Sequence, residues 1–182
     1  MKKDSFAIPL DVRAFAQAAA SRTAQDTLRK YERLMAETQE EGGDAVVSWS
    51  AQGEMRPVPG EESEIWLHLQ ADATVAATCQ RCLQPVEIPL VVDRSFRFVN
   101  DEATAALLDE EAEEEVLAID PQFDLAALIE DELLMEMPLV PRHEVCPTEV
   151  KLEAVDEDFD AALAEKPKPF AALAKLKGGK PH

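Results

Sequence analysis

Two short stretches carry residues that could do chemistry: "CQRC" at 79–82 and "HEVC" at 143–146. Zinc takes four ligands in a tetrahedron, and thiolates and imidazoles are its usual donors in structural sites. Cys79 and Cys82 form one spaced pair, and His143 and Cys146 form another that begins 61 residues after Cys82. Together they use every cysteine in the chain. Three thiolates and one imidazole would close a structural site and staple two distant segments together. A blander reading stands beside it, because Cys79 also continues the apolar side of an alternating run, where free cysteine often sits. A redox role for CQRC is disfavoured. Thioredoxin-type pairs open a helix, whose N-terminus lowers the thiol pKa, and here a strand pattern follows.

No other constellation rises to catalysis. His68 sits within an alternating strand pattern, His182 is terminal, and the carboxylates cluster in solvated runs that leave no paired acid and base. The six glycines form neither GxGxxG nor GxxxxGK, so there is no phosphate cradle. The reading is of a non-enzyme with no small-molecule substrate, and structural zinc is the one cofactor candidate.

The positioning elements follow from periodicity. "EIWLHLQADATVAATC" puts Ile65, Leu67, Leu69, Ala71, Ala73, Val75, Ala77 and Cys79 on one side, which is the period-2 pattern of a strand with one buried face. Its length predicts a bulge near Ala71–Ala73. Val86, Ile88, Leu90, Val92, Phe96 and Phe98 alternate again behind the CQRC turn, with Arg94 the dissonant member. "AVVSW" at 45–49 predicts a third strand, and "VLAI" at 116–119 a short one. Residues 1–43 read as helical. Asp11 is a cap, and Leu28, Tyr31 and Leu34 fall at helical spacing. Asp124 caps a further helix over 124–137, with Leu125, Leu128, Ile129 and Leu133 on one face and Pro138 at its close. The fold class expected is α+β: an antiparallel β-meander or partly closed barrel, with two N-terminal helices and one helix after the sheet. The domains expected are an N-terminal helical segment, 1–43, packed on the core, an antiparallel β domain, 44–147, and an acidic linker with a basic tail, 148–182.

Charge narrows the partners. Thirty-seven acidic residues against eighteen basic ones give a net of −19 over 182 residues. The excess is uneven, since residues 166–182 hold five lysines and no acid, leaving −24 on the rest. Such a body repels phosphates and anionic membranes and attracts basic proteins. The run "DEEAEEE" at 109–115 reads as a solvated acidic loop. Three cysteines do not make a secreted disulfide framework. The opening stretch lacks the roughly 7–15 apolar residues of a signal peptide, and no run nears the roughly 18 of a membrane span. A cytoplasmic protein with no membrane partner is expected.

Three stretches, in order, give the chain a likeness. "CQRCLQPVEIPL", "DLAALIEDELLMEMPLVPRHEVC" and "KPKPFAALAKLK" resemble the hairpin, the helix–proline segment and the C-terminal lysine–proline–phenylalanine motif of the YceD family. The resemblance implies a role in synthesis, processing or stability of large-subunit ribosomal RNA, without catalytic activity. Some members carry a second C-x-x-C pair after the helix, where this chain has HEVC. Two mechanisms stay open beside an unrelated zinc-stabilised scaffold. The favoured one is an adaptor whose acidic surface, with Glu110, Glu111, Glu113, Glu114 and Glu115, holds a basic ribosomal protein or large-subunit assembly factor. The other is direct RNA binding through the tail, with Lys166, Lys168, Phe170, Lys175 and Lys177, aided by Arg81, Arg94 and Arg97.

Overall fold

The structure, a computed structural model, describes residues 6–38, 42–60 and 62–149. The chain order is α1 (Val12–Gln17), β1 (Ser21–Thr27), a 3-10 turn (Leu28–Lys30), α2 (Glu32–Ala36), β2 (Val46–Arg56), β3 (Glu64–Thr78), β4 (Pro85–Val99), α3 (Glu102–Asp109), β5 (Glu115–Ala118) and α4 (Leu125–Met135). The five strands form one sheet in sequence order. The fold is α+β, and the sheet is open rather than closed into a barrel. The first four strands are antiparallel neighbours, as the alternation predicts. The last departs from a pure meander: β5 runs parallel to β4, because α3 carries the chain back before it pairs.

β3 and β4 make the backbone of the molecule. Their pairing runs without a slip from Ile65 opposite Phe98 to Thr78 opposite Pro85, so the expected bulge is absent. Ala71 and Ala73 keep the buried phase and give the strand no reason to change face. Leu67, Leu69, Ala71, Phe96, Leu90 and Val92 face one side, where Ile8, Val12, Tyr31, Leu34, Leu125, Ile129 and Leu133 complete a single cluster. The opposite face of β1–β4 is polar, with Thr23, Ser50, Gln70 and Asp93 in register across it.

The N-terminal part corrects the helical expectation. Helices do form at α1, where Asp11 accepts the Ala14 N–H at 2.9 Å, and at α2. Residues 21–27 between them are an edge strand. "SRTAQDT" has no apolar face of its own for a helix to bury, and it pairs with β2 instead. Leu28, Tyr31 and Leu34 are all buried, yet a 3-10 turn and a five-residue helix deliver them rather than one long helix. α1 crosses β2 at Gly53, where a Cβ would lie 2.8 Å from the Ala16 backbone.

α4 matches its expectation closely. Asp124 caps it by accepting the Ala126 N–H, and the same oxygen takes the Ile8 N–H at 2.6 Å, tying the N-terminal segment to the helix. α3, capped by Asp101, was not anticipated in the sequence; its acidic flank hides its start. Among the described residues no helix is long and apolar enough to cross a membrane. The lysine-rich segment and residues 150–165 lie outside the described residues.

Candidate metal centre

β3 ends at Thr78, and Cys79 follows with its side chain fully buried. The chain then turns tightly. Cys79 N–H donates to the Gln84 carbonyl and Leu83 N–H to the Cys79 carbonyl, with Leu83 at φ 60°. This turn brings Cys82 beneath Cys79. The second pair arrives on the segment after α4. Pro138 stops the helix, and the Pro141 carbonyl accepts the Gln80 N–H at 2.8 Å, docking the incoming backbone on the turn.

Arg81, between the two cysteines, completes the clamp. Its Nε donates to Cys146 Sγ at 3.0 Å, and one terminal nitrogen donates to the carbonyls of His143 at 2.7 Å and Glu144 at 3.1 Å. Cys79 Sγ accepts the His143 N–H at 3.5 Å. The ligand atoms of Cys79, Cys82, His143 and Cys146 all lie within 4.8 Å of one another. Cys79 and Cys146 sulfurs are 4.0 Å apart, and Cys82 Sγ is 3.4 Å from His143 Nδ1. Tetrahedral zinc with its usual bond lengths sets neighbouring ligands roughly 3.5–3.8 Å apart. The four side chains therefore fit that ion with small adjustments, and all three thiols are free.

The electrostatics favour thiolate at one position. Burial opposes ionisation of Cys79, but the backbone N–H groups of His143, Cys82 and Arg81 and the Cys82 side chain aim at its sulfur and bring its pKa down to about 5. Cys82 goes the other way. Burial raises its pKa, and the neighbouring sulfurs of Cys146 and Cys79 add to the rise. Arg81 is held more firmly protonated, chiefly by its bond to Cys146. A cation beside three sulfurs and an imidazole offsets the surplus negative charge such a cluster carries with a divalent ion. Four protein ligands leave no open position, which is the composition of a structural rather than a catalytic site.

The two readings of Cys79 converge. It packs with Ala77 and Val86 as a buried strand-end residue, against Cys82 and Cys146, and it also stands within the group that could hold a metal ion. Arg81 was a candidate partner-binding residue and is spent inside the centre. Arg94 and Arg97 lie on opposite faces of β4. Arg94 reaches Glu132 at 3.1 Å and Glu115 at 3.7 Å, while Arg97 reaches Glu64 at 2.8 Å and Glu114 at 4.0 Å. Of the acidic candidates, Glu110, Glu111 and Glu113 are exposed, whereas Glu114 and Glu115 are half-buried and fasten β5 to β4. Lys166, Lys168, Phe170, Lys175 and Lys177 lie outside the described residues.

Sequence reasoning missed Glu132 on α4. It is buried at 3% exposure against Arg94. Two charges at apolar positions, one in a strand and one in a helix, were the available signal.

Comparison with known proteins places these features in a family context. The profile of the family described as "Large ribosomal RNA subunit accumulation protein YceD" matches residues 67–177, a stretch holding all four candidate ligands. A Haemophilus influenzae protein of that name is 37% identical over 100 residues, which are 54% of this chain and 58% of that protein. The chain thus aligns with less than two thirds of this relative's length. No solved structure matches.

Proposed function

The chain belongs to the YceD family, and on that premise we propose that it is a non-enzymatic cytoplasmic factor supporting accumulation of large-subunit ribosomal RNA. It acts as an acidic adaptor for a basic ribosomal protein or large-subunit assembly factor. One observation carries the mechanism: among the described residues, Arg29, Lys30, Arg33, Arg56, Arg94 and Arg97 each already hold a carboxylate. Arg81 is committed to the cysteine cluster. Phosphate binding needs cations to displace counterions, and this body turns most of its own toward its own acids, with Arg13 on Asn100 and Arg22 over Trp49 instead. The surplus is negative, and it steers cationic proteins. Cys79, Cys82, His143 and Cys146 hold one structural zinc, which fixes the turn and the post-helix segment and performs no reaction.

A second reading, RNA binding by the lysines between 166 and 180, rests on residues 166–182 holding five lysines and no acid. The two separate when tagged protein is captured from its own cells at physiological salt, with and without ribonuclease. The adaptor reading expects a basic ribosomal protein or assembly factor to stay bound after digestion. Loss of every companion with the RNA would instead establish direct RNA binding.

A further inference from the structure

Exposed apolar side chains gather on the surface around the cysteine cluster. Among the described residues eight large apolar side chains are exposed, and four of them, Leu83, Leu139, Val140 and Val145, fall on the segments this centre brings together, with a fifth, Met135, at the end of α4 just before. Leu139 is fully exposed, and Val145 and Leu83 are 85% and 71% exposed. Leu83 and Val145 each adjoin a ligand in sequence, so the centre that fixes the ligands also fixes the display of these side chains. Beside them runs a groove of about 490 Å³, walled by Leu134, Met137, Pro138, Leu139 and Pro141 from the end of α4 and by Ala77 and Thr78 from the end of β3. Solvent-facing apolar groups concentrated in this way mark interaction sites.

Charge identifies the occupant. Glu37 lines the groove, and Glu136 and Glu144 stand exposed on the same post-helix stretch with Arg142 between them, so the acids exceed the one arginine there. The C-terminal carbonyls of α4 add partial negative charge at its mouth. The lining mixes aliphatic side chains with Thr78, Gln80 and Glu37 and has no aromatic platform on which a base could stack, and its one charged member is an acid, which disfavours phosphate.

We propose that this groove and the apolar tips of the two ligand loops form the docking surface for a cationic protein segment that inserts apolar anchor side chains. The inference rests on the adaptor reading and gives it a location. The acidic run near Glu110–Glu113 then steers the partner, and the groove retains it.

The probes are purified large-subunit ribosomal proteins, titrated one at a time against the full zinc-loaded chain at physiological salt. Leu139→Asp puts a charge into the lining without removing a buried group. Leu83→Asn does the same at a loop tip, with a residue that accepts positive φ. Leu107→Asp, at an exposed apolar position on α3, is the control. Leu139→Asp is expected to weaken a binding partner about tenfold or more, as loss of a central anchor does. Leu83→Asn should weaken it less and Leu107→Asp less than about twofold, all with unchanged zinc content. Unchanged affinity in Leu139→Asp, beside a wild type that binds, overturns the surface and leaves the adaptor function standing. Binding of no ribosomal protein by the wild type overturns the adaptor function and this surface with it. Conversion of a wild-type dimer to monomer by Leu139→Asp would show that a second copy is the occupant.

Discussion

Around Leu67, Leu69 and Phe96 the sheet buries one continuous cluster reaching from Ile8 to Leu133, whereas at the far end of the same β3–β4 hairpin only Ala77, Cys79 and Val86 are buried. Strand length accounts for the difference. Fifteen residues in each strand extend roughly 50 Å at the usual rise, and two short N-terminal helices with an eleven-residue α4 cannot cover so long a hairpin. The middle is held by apolar burial, which is non-directional and tolerant. The overhanging end has too little apolar area for that, so backbone bonds, Arg81 and, on the zinc proposal, four ligands do the work. What the contrast teaches is that the cysteine centre substitutes for a core where the core runs out.

The largest effect should come from separating the two regions. If the proposed zinc is bound, Cys82→Ser, or treatment with a chelator, is expected to release it and open the turn at 79–84 together with the segment from Pro138 to Pro147. Zinc contributes about 10–16 kcal/mol of apparent binding free energy to small structural sites, more than the few contacts at this end can replace. Hydrogen exchange is the measurement: amides at the cysteine end should lose protection while those of Leu67–Ala71 and Leu125–Leu133 keep theirs. Equal loss in both regions would show that the metal serves the whole fold and would end the contrast.

How much of this the sequence discloses follows the range of the interactions concerned. Alternation is local, so β2, β3 and β4 and their buried faces could be read directly. The caps at Asp11 and Asp124 are local as well. The four ligands are visible by type and spacing, but their convergence depends on Pro141 meeting Gln80, a contact between distant segments. β1 is hidden because its seven residues are polar on both faces and take their conformation from β2. The direction of β5 depends on α3, and the Arg94–Glu132 pair joins residues 38 positions apart. Arg81 is the clearest lesson: it stays exposed, yet its bonds to Cys146, His143 and Glu144 come from a segment more than sixty residues away that no local pattern reveals.

A second test strikes the middle region at its one buried charge. Glu132 is nearly inaccessible, while the Arg94 side chain is 37% exposed and also reaches Glu115. Removing either partner is therefore not equivalent. Arg94→Ala leaves a buried carboxylate and should cost about 2–3 kcal/mol, below the roughly 3–5 of a fully enclosed pair. Glu132→Leu leaves a cation that water and Glu115 still serve, and should cost less than half as much. The pH dependence has a definite sign. Burial raises the Glu132 pKa, opposed by Arg94. A raised carboxylate stabilises the fold below the unfolded pKa, about 4.3, and loses that contribution as pH rises through the folded value. Without Arg94 the rise grows, so the deficit of Arg94→Ala should be larger at pH 7 than at pH 4 in urea denaturation. Equal costs for the two variants would mean that the pair behaves as a solvated surface bridge.

The smallest effect is expected at the rim of the same core, where Asp26 on β1 meets Lys30 at 2.6 Å, the Trp49 indole N–H at 2.8 Å and the Tyr31 hydroxyl at 3.4 Å. Burial pushes the Asp26 pKa up, but the bonds from Lys30 and Trp49 outweigh it, and the net shift is downward. The sign is opposite to that of Glu132. The stabilisation is present above the unfolded value, about 3.9, and is lost as pH falls through the lowered folded value. Asp26→Asn keeps an acceptor for Trp49 and removes the charge, so it should cost about 1 kcal/mol at pH 7. That cost should fade toward pH 2, where the parent carboxyl is itself neutral. The substitution also removes one of the causes that raise the Tyr31 pKa, so the phenol should ionise at lower pH in an ultraviolet titration. A cost that stayed constant with pH would mean that shape rather than charge holds β1 to the sheet. The edge strand would then belong with the apolar middle, and the cysteine end would stand alone as the region built on polar chemistry.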